Sequence, residues 1–249
     1  PRGNGPDLFI EAHELTGEWS KNNLLLPTLE TDLARFTPAA VDALRYDGQV
    51  WGVPIAVKSL ALYYNRDLVP TPPVTMSELL ETGRRATGGR ALIYEAGEFY
   101  FHAPVLHGFG GEGEMRDDGT VGVQTDAIAR SLSWARGLTE SGDLPLEADG
   151  AMVSTLFNQG EVAFAINGPW FLGQIRNVDF GVAPLPILDE TGEPLRPFLT
   201  VEAVFRAAQS TADDTDVRAA IAPQAGSSRF STASACSSNS SNRRPLAAR

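Results

Sequence analysis

Residues 157–170 read FNQGEVAFAINGPW, and three kinds of local structure succeed one another along this one stretch. Met152 to Gln159 carries the spacing of a short helix. Val162 to Ile166 is a short apolar run of β-branched and aromatic character, the mark of a buried strand. Asn167-Gly168-Pro169 then stops the strand and opens a helix with proline in its first turn, where a missing N–H costs nothing. The same alternation continues outward. Val50 to Val57, Leu60 to Tyr64, Ala91 to Tyr94 and Phe180 to Leu185 read as further buried strands. Thr75 and Glu78 form a capping box at the head of TMSELLETGRRA, just after the break at Pro70 to Pro73. Ile128, Leu132, Ala135 and Leu138 recur at helical spacing along Asp126 to Glu140, which Gly142 ends, and Asp117-Asp118-Gly119 signals a hairpin turn. Strands alternating with helices predict an α/β architecture with a largely parallel sheet, and no internal repeat interrupts the pattern.

The chain has 249 residues, 43% hydrophobic and 20% charged, enough for one large or two small domains with a core and too apolar for wholesale disorder. No run approaches the roughly 20 apolar residues of a membrane-spanning helix, and no signal peptide is visible at the start. A formal charge of -11 opposes the gripping of phosphate backbones, so nucleic acid is not an expected partner. Cys236 stands alone and makes no intrachain disulfide, which suits a reducing compartment or an exported protein built without bridges. Residues 218–249 carry five arginines and no acid, and Ser227 to Asn242 is a polar tract expected to be disordered. The tail reads either as a natural linker or as a non-native continuation. With Pro1 in place of an initiator methionine, it suggests a fragment.

Common catalytic signatures fail on local grounds. Gly108, Gly110 and Gly113 satisfy G-x-G-x-x-G, but no clear strand leads in, and Glu112 and Glu114 put negative charge where a pyrophosphate would sit. His13, His102 and His107 lack metal-site spacing, and no G-x-S-x-G elbow occurs. What remains are aromatics and carboxylates in loops expected to follow strands: Glu98-Phe99-Tyr100-Phe101 after Tyr94, and Trp170-Phe171 after Ile166. Ligands of open α/β sheets sit at such strand ends. An aromatic face packs on the apolar face of a pyranose ring while carboxylates accept bonds from its hydroxyls. Core packing is the competing explanation for every one of these rings.

The segments PDLFIEAHE (Pro6 to Glu14), ALRYDGQVWGVPIAV (Ala43 to Val57), LYYNRDLVPTPP (Leu62 to Pro73), ALIYEAGEFYF (Ala91 to Phe101) and FNQGEVAFAINGPW (Phe157 to Trp170) together resemble the maltose- and maltodextrin-binding proteins, in order and spacing, from about Pro6 to Asp216. The resemblance implies the type II periplasmic binding protein fold. Two α/β lobes are joined by crossing strands, sugar is held in the cleft, and closure signals an ATP-driven (ABC) importer permease. It implies a monomeric, periplasmic or lipid-anchored receptor, no catalysis and no cofactor. Residues 1–57 and 200–217 would form the first lobe, 58–199 the second, and 218–249 the tail. Position by position, Glu14 and Glu98 become the hydroxyl-binding acids of the two lobes, Tyr100 a stacking and hydroxyl-bonding ring, and Trp170 the principal platform. The pattern departs at Glu14, where the family has aspartate, at Glu11 in place of a stacking tryptophan, at Leu15 in place of arginine, and at Lys58 in place of glutamate. Glu11 is expected to face the cleft or solvent; Lys58 pairs with Glu11 or Glu14, or is solvated. A maltodextrin is the expected ligand, with another α-glucoside such as trehalose, a different oligosaccharide or a non-carbohydrate solute as alternatives, and a glycoside hydrolase as the rival class. The resemblance also implies that the family's opening strand and helix and its closing helices lie outside this sequence, so the chain by itself is expected to be marginally stable and to bind sugar weakly.

Overall fold

The apolar run at Val162 to Ile166 is the centre of a sheet buried on both faces, as its unbroken hydrophobicity demands. A computed structural model describes residues 5–29, 33–111, 125–145 and 147–226. In chain order the elements are β1 (Leu8–Ala12), α1 (Thr16–Lys21), β2 (Leu25–Leu26), α2 (Pro38–Asp42), β3 (Arg45–Tyr46), β4 (Gln49–Val50), β5 (Gly52–Lys58) and β6 (Ala61–Asn65). There follow α3 (Met76–Thr87), β7 (Leu92–Ile93), α4 (Phe99–Gly108), α5 (Thr125–Glu140), α6 (Gly150–Gln159) and β8 (Phe164–Asn167). The chain continues through β9 (Phe180–Ala183), β10 (Ile187–Leu188), β11 (Glu193–Pro194), β12 (Thr200–Ala207) and α7 (Asp214–Gly226).

Two four-stranded sheets organise these elements. In one, β12 is central, with β1 on one side and β5 on the other, and β2 pairs with its far end; every pairing is antiparallel. In the other the order is β7-β8-β6-β9, where only β7 and β8 run parallel. The expected largely parallel sheet is therefore corrected to a largely antiparallel one. Alternating helices and strands predict parallel pairing only if each helix carries the chain between neighbouring strands. Here β6 pairs with β8 and β9, and not with β7, the strand that follows it in sequence.

Side chains alternate between two cores across each sheet. Leu62, Tyr64, Phe164 and Ile166 join one cluster, while Tyr63 and Ala165 join another on the opposite face. Across the first sheet, Val201, Ala203 and Phe205 face one cluster, and Val53 and Val204 face a second with Val217 and Ile221 of α7. Chain passage between the sheets is short. Only Ser59 and Leu60 separate β5 from β6, and the return runs from the β10–β11 ribbon through Phe198 and Leu199 into β12.

Local signals act as their chemistry dictates, with small departures. Thr75 caps α3 by accepting the Glu78 N–H at 3.2 Å, while the Glu78 carboxylate reaches back to the Val74 N–H at 2.8 Å. Gly88, left-handed at φ 72°, ends that helix. Gly83 lets α3 settle onto Ala91, whose backbone a Cβ would overlap. Val50 to Val57 is divided between β4 and β5. The helix opened by Pro169 is a 3-10 turn, Pro169–Gly173. Helix α7 carries the chain past Arg218, the start of the tail read from composition, to Gly226, with Ile221 buried. The Asp117-Asp118-Gly119 turn, Gly113 with Glu112 and Glu114, and the Ser227 to Asn242 tract lie outside the described residues.

Candidate functional site

Asn167-Gly168-Pro169 turns the chain sharply at the end of β8 and leaves two neighbouring aromatics with opposite fates. Phe171 points inward, fully buried between Tyr63 at 5.1 Å and Phe157 at 5.5 Å. Trp170 remains 40% exposed. The anchoring role that competes with ligand binding at Trp170 is therefore filled by its neighbour. Gly168 carries the indole, since a Cβ there would overlap the Trp170 ring. The turn is also fixed from beneath. Asn167 Oδ1 accepts the Gly168 N–H at 2.8 Å, and the Tyr63 hydroxyl donates to the Gly168 carbonyl at 2.9 Å. Burial pushes the Tyr63 phenol up to about 12, so it stays a donor throughout the physiological range.

Glu98, Phe99, Tyr100 and Phe101, expected in a loop, instead open a helix. Glu98 is the residue before α4, and its carbonyl accepts from Phe101 and His102 N–H groups. The loop between β7 and this helix is short, ending at Glu98. Placement on a helix sends the rings to different neighbours. Tyr100 lies 6.2 Å from Trp170 at an interplanar angle of 42°, and Phe101 meets the same indole edge-on at 6.2 Å. Phe99 is 54% exposed beside this group. Glu98 is exposed, and the nearby Glu95 has its pKa raised by burial first and then by repulsion from Glu98 and Asp149.

Across from these rings the first sheet contributes charge. Lys58 ends β5 and forms an ion pair with Glu202 of β12, both half-buried, so neither Glu11 nor Glu14 is its primary partner. Glu202 holds the ammonium above the ordinary lysine range against partial burial, and Glu14 and the Tyr100 phenol add to the effect. Glu14 lies on the 3-10 turn after β1 and accepts the Thr200 hydroxyl at 3.1 Å. Lys58 thus senses Glu14 from one sheet and Tyr100 from helix α4 of the other. Glu11 behaves differently. It is exposed on β1 opposite Ala203, on the other face of β12 from Glu202, and its carboxylate accepts only the adjacent Ala12 N–H among the bonds of the described residues.

Three participants carried no distinguishing sequence signal. Glu202 is a lone acid inside the apolar run TVEAVF, Thr200 precedes it, and Phe198 is one phenylalanine before a strand. Phe198 proves to stack against Tyr100 at 6.4 Å and 28°. The pairing of β12 with β5 sets Glu202 beside Lys58, and the pairing of β12 with β1 brings Thr200 near Glu14. The histidines occupy packed positions. His102 is buried between the Tyr94 hydroxyl at 3.3 Å and Ser131 Oγ at 3.2 Å, burial lowering its pKa; His13 accepts the Val201 N–H; and His107 lies under Phe198. Among the described residues no group of three His, Cys, Asp or Glu is arranged to hold a metal, and no helix is long and apolar enough to cross a membrane.

The chain matches the family model described as bacterial extracellular solute-binding protein over residues 1–221. It is similar to a maltotriose-binding protein of Pyrococcus abyssi, 32% identical over 221 residues, covering 84% of this chain and 48% of that protein. It is also similar to a maltooligosaccharide ABC transporter solute-binding lipoprotein of Streptococcus pneumoniae, 28% identical over 207 residues, covering 75% of this chain and 48% of the other. A galactooligosaccharide-binding protein of Bacillus subtilis is 24% identical over 221 residues, covering 82% of this chain and 52% of its own length. The chain spans about half the length of the curated relatives it matches. By the extent of the family match and the identity of its relatives, the chain belongs to the bacterial extracellular solute-binding proteins, a family of binding proteins and not of enzymes.

Proposed function

We propose that this chain belongs to a sugar receptor of an ABC importer and that it holds a maltodextrin against the Trp170–Tyr100 platform. The observation that carries this reading is the exposed indole of Trp170 in contact with Tyr100. Aromatic faces cover the C–H faces of pyranose rings, and carboxylates accept from the hydroxyls around them. Glu14 supplies the second acid, and Lys58, near both Glu14 and Tyr100, supplies a donor. Glu11, exposed on β1, serves as an outer polar contact. Residues 1–57 with 200–217 form one lobe and 58–199 the other, hinged where β5 passes into β6 and where the return enters β12. Ligand with greater affinity for the closed arrangement draws the lobes together, and the closed form is what the permease recognises. The receptor works as a monomer outside the cytoplasmic membrane, free in the periplasm or lipid-anchored, as the lipoprotein named among its relatives is. The maltotriose-binding and maltooligosaccharide-binding relatives favour an α-glucan.

A second reading, a galactose-containing oligosaccharide, is favoured by the galactooligosaccharide-binding relative. Intrinsic tryptophan fluorescence titrated with maltotriose and with a galactooligosaccharide, on the parent and on Trp170→Ala, separates the readings. A saturable change with maltotriose that the substitution abolishes is expected. Saturation by the galactooligosaccharide alone decides for the second reading, and a folded protein that responds to neither overturns both.

A further inference from the structure

Four contacts converge on Phe198. It lies on the return connection, and its carbonyl accepts the Ser59 hydroxyl at 3.0 Å, which ties the outgoing and returning connections together at this residue. Its ring stacks on Tyr100 at 6.4 Å, meets Phe99 at 6.0 Å and receives the buried imidazole of His107 edge-on at 5.0 Å. His107 is itself bound to the same connection, its Nδ1 meeting the Arg196 carbonyl while the Arg196 guanidinium donates to the His107 carbonyl at 2.9 Å. Trp170 stands against Tyr100 at 6.2 Å. A row of rings, Trp170, Tyr100, Phe198, therefore runs from the exposed platform to the place where the two sheets are joined.

We infer that Phe198 is a positioning residue that sets the Tyr100–Trp170 platform from the inter-sheet connection, so that platform geometry and the disposition of the sheets are coupled through one ring. The consequence for affinity rests on the sugar-binding reading; the consequence for the platform does not. Any rotation of one sheet against the other changes backbone torsions beside Phe198, and its ring transmits them to Tyr100. Conversely, a ligand that immobilises Tyr100 restrains Phe198 and, through Ser59, both connections. A ring that merely filled space would be replaced without consequence by an aliphatic side chain of similar volume.

The test uses the full chain labelled with 5-fluorotryptophan, the Trp170 resonance being assigned by its loss in Trp170→Phe. In ligand-free protein, Phe198→Leu is expected to shift the Trp170 resonance while that of Trp19, packed in the first sheet's core, stays in place; Phe198→Tyr restores it. Maltotriose affinity falls by about 3- to 10-fold in the leucine variant, the value of one offset aromatic pair, and recovers in the tyrosine variant. An unmoved Trp170 resonance with unchanged affinity overturns the inference. If the parent binds no sugar but the resonance still shifts, the positioning role stands and the sugar reading falls. Should the leucine variant fail to fold, Ser59→Ala carries the test, because it unties the connections and leaves every ring; a Trp170 resonance unmoved by it overturns the coupling.

Discussion

At Gly168 one hydrogen atom decides whether the neighbouring indole is available. Any larger side chain occupies the space of the Trp170 ring. Gly168→Ala is therefore expected to turn Trp170 away and to weaken maltotriose binding at least 10-fold, with a thermal midpoint close to the parent's, since φ at -92° suits alanine. Parallel fluorescence titration and thermal melts check this. Tyr63 supports the same turn from inside the core. Tyr63→Phe leaves the Gly168 carbonyl without its buried donor, and a loss of about 1 to 2 kcal/mol in the urea unfolding free energy is expected. Neither dependence is visible in the string NGPW, which marks a turn and no more. Which of Trp170 and Phe171 faces solvent is set by the room between Tyr63 and Phe157.

At the level of elements, α3 is fastened to the connection after α5 by an ion pair between Arg84 and Asp143, the carboxylate 1% exposed and the guanidinium half in water. Burial alone would raise the Asp143 pKa, but hydrogen bonds from Arg84 and Ser141 outweigh it and hold the group below its ordinary 3.8. A depressed carboxyl contributes stability that is present above the unfolded value and is lost as pH falls through the folded one. Arg84→Ala is expected to cost about 2 kcal/mol at pH 7 and progressively less as pH falls below 3.8 through the folded-state value, so urea midpoints of parent and variant should draw together on acidification. His102 on α4, which meets Ser131 of α5, has the opposite chemistry. Burial lowers its pKa from 6.5, so below that value the unfolded chain takes up a proton that the folded chain refuses. Stability is therefore complete above pH 6.5 and declines with acidification, and His102→Gln should flatten that decline between pH 7 and 5 in the same unfolding experiment. The cap of α3 and the periodicity of α5 were legible in the sequence because they depend on residues within a turn of one another. The helical state of Phe99 to Phe101 was not, since its aromatic composition suits a strand or loop equally and packing on α5 and the β10–β11 ribbon settles it.

Over the whole molecule, two sheets with separate cores are joined by short connections, and the proposed ligand lies between them. A ligand that binds the folded form alone raises its stability by mass action, about 2.7 kcal/mol at a hundred times the dissociation constant. Maltotriose is accordingly expected to raise the thermal midpoint of the parent and to leave that of Trp170→Ala where it was; calorimetric scans with and without sugar check this. The apolar runs, the capping signals and the family resemblance of PDLFIEAHE through FNQGEVAFAINGPW were all in the sequence, because hydrophobic periodicity and turn chemistry are local properties of the chain. Strand direction was not. Alternating helices and strands suggested parallel pairing, whereas β6 lies between β8 and β9 and runs against both, a choice made by contacts across more than a hundred residues. The partner of Lys58 was equally out of reach. Sequence order offers Glu11 and Glu14, but the antiparallel register of β12 on β5 delivers Glu202 and leaves Glu11 on the opposite face. Local composition therefore determined which segments form elements. Only the tertiary structure decided which of their residues meet, because meeting depends on register and packing between segments that the chain itself keeps far apart.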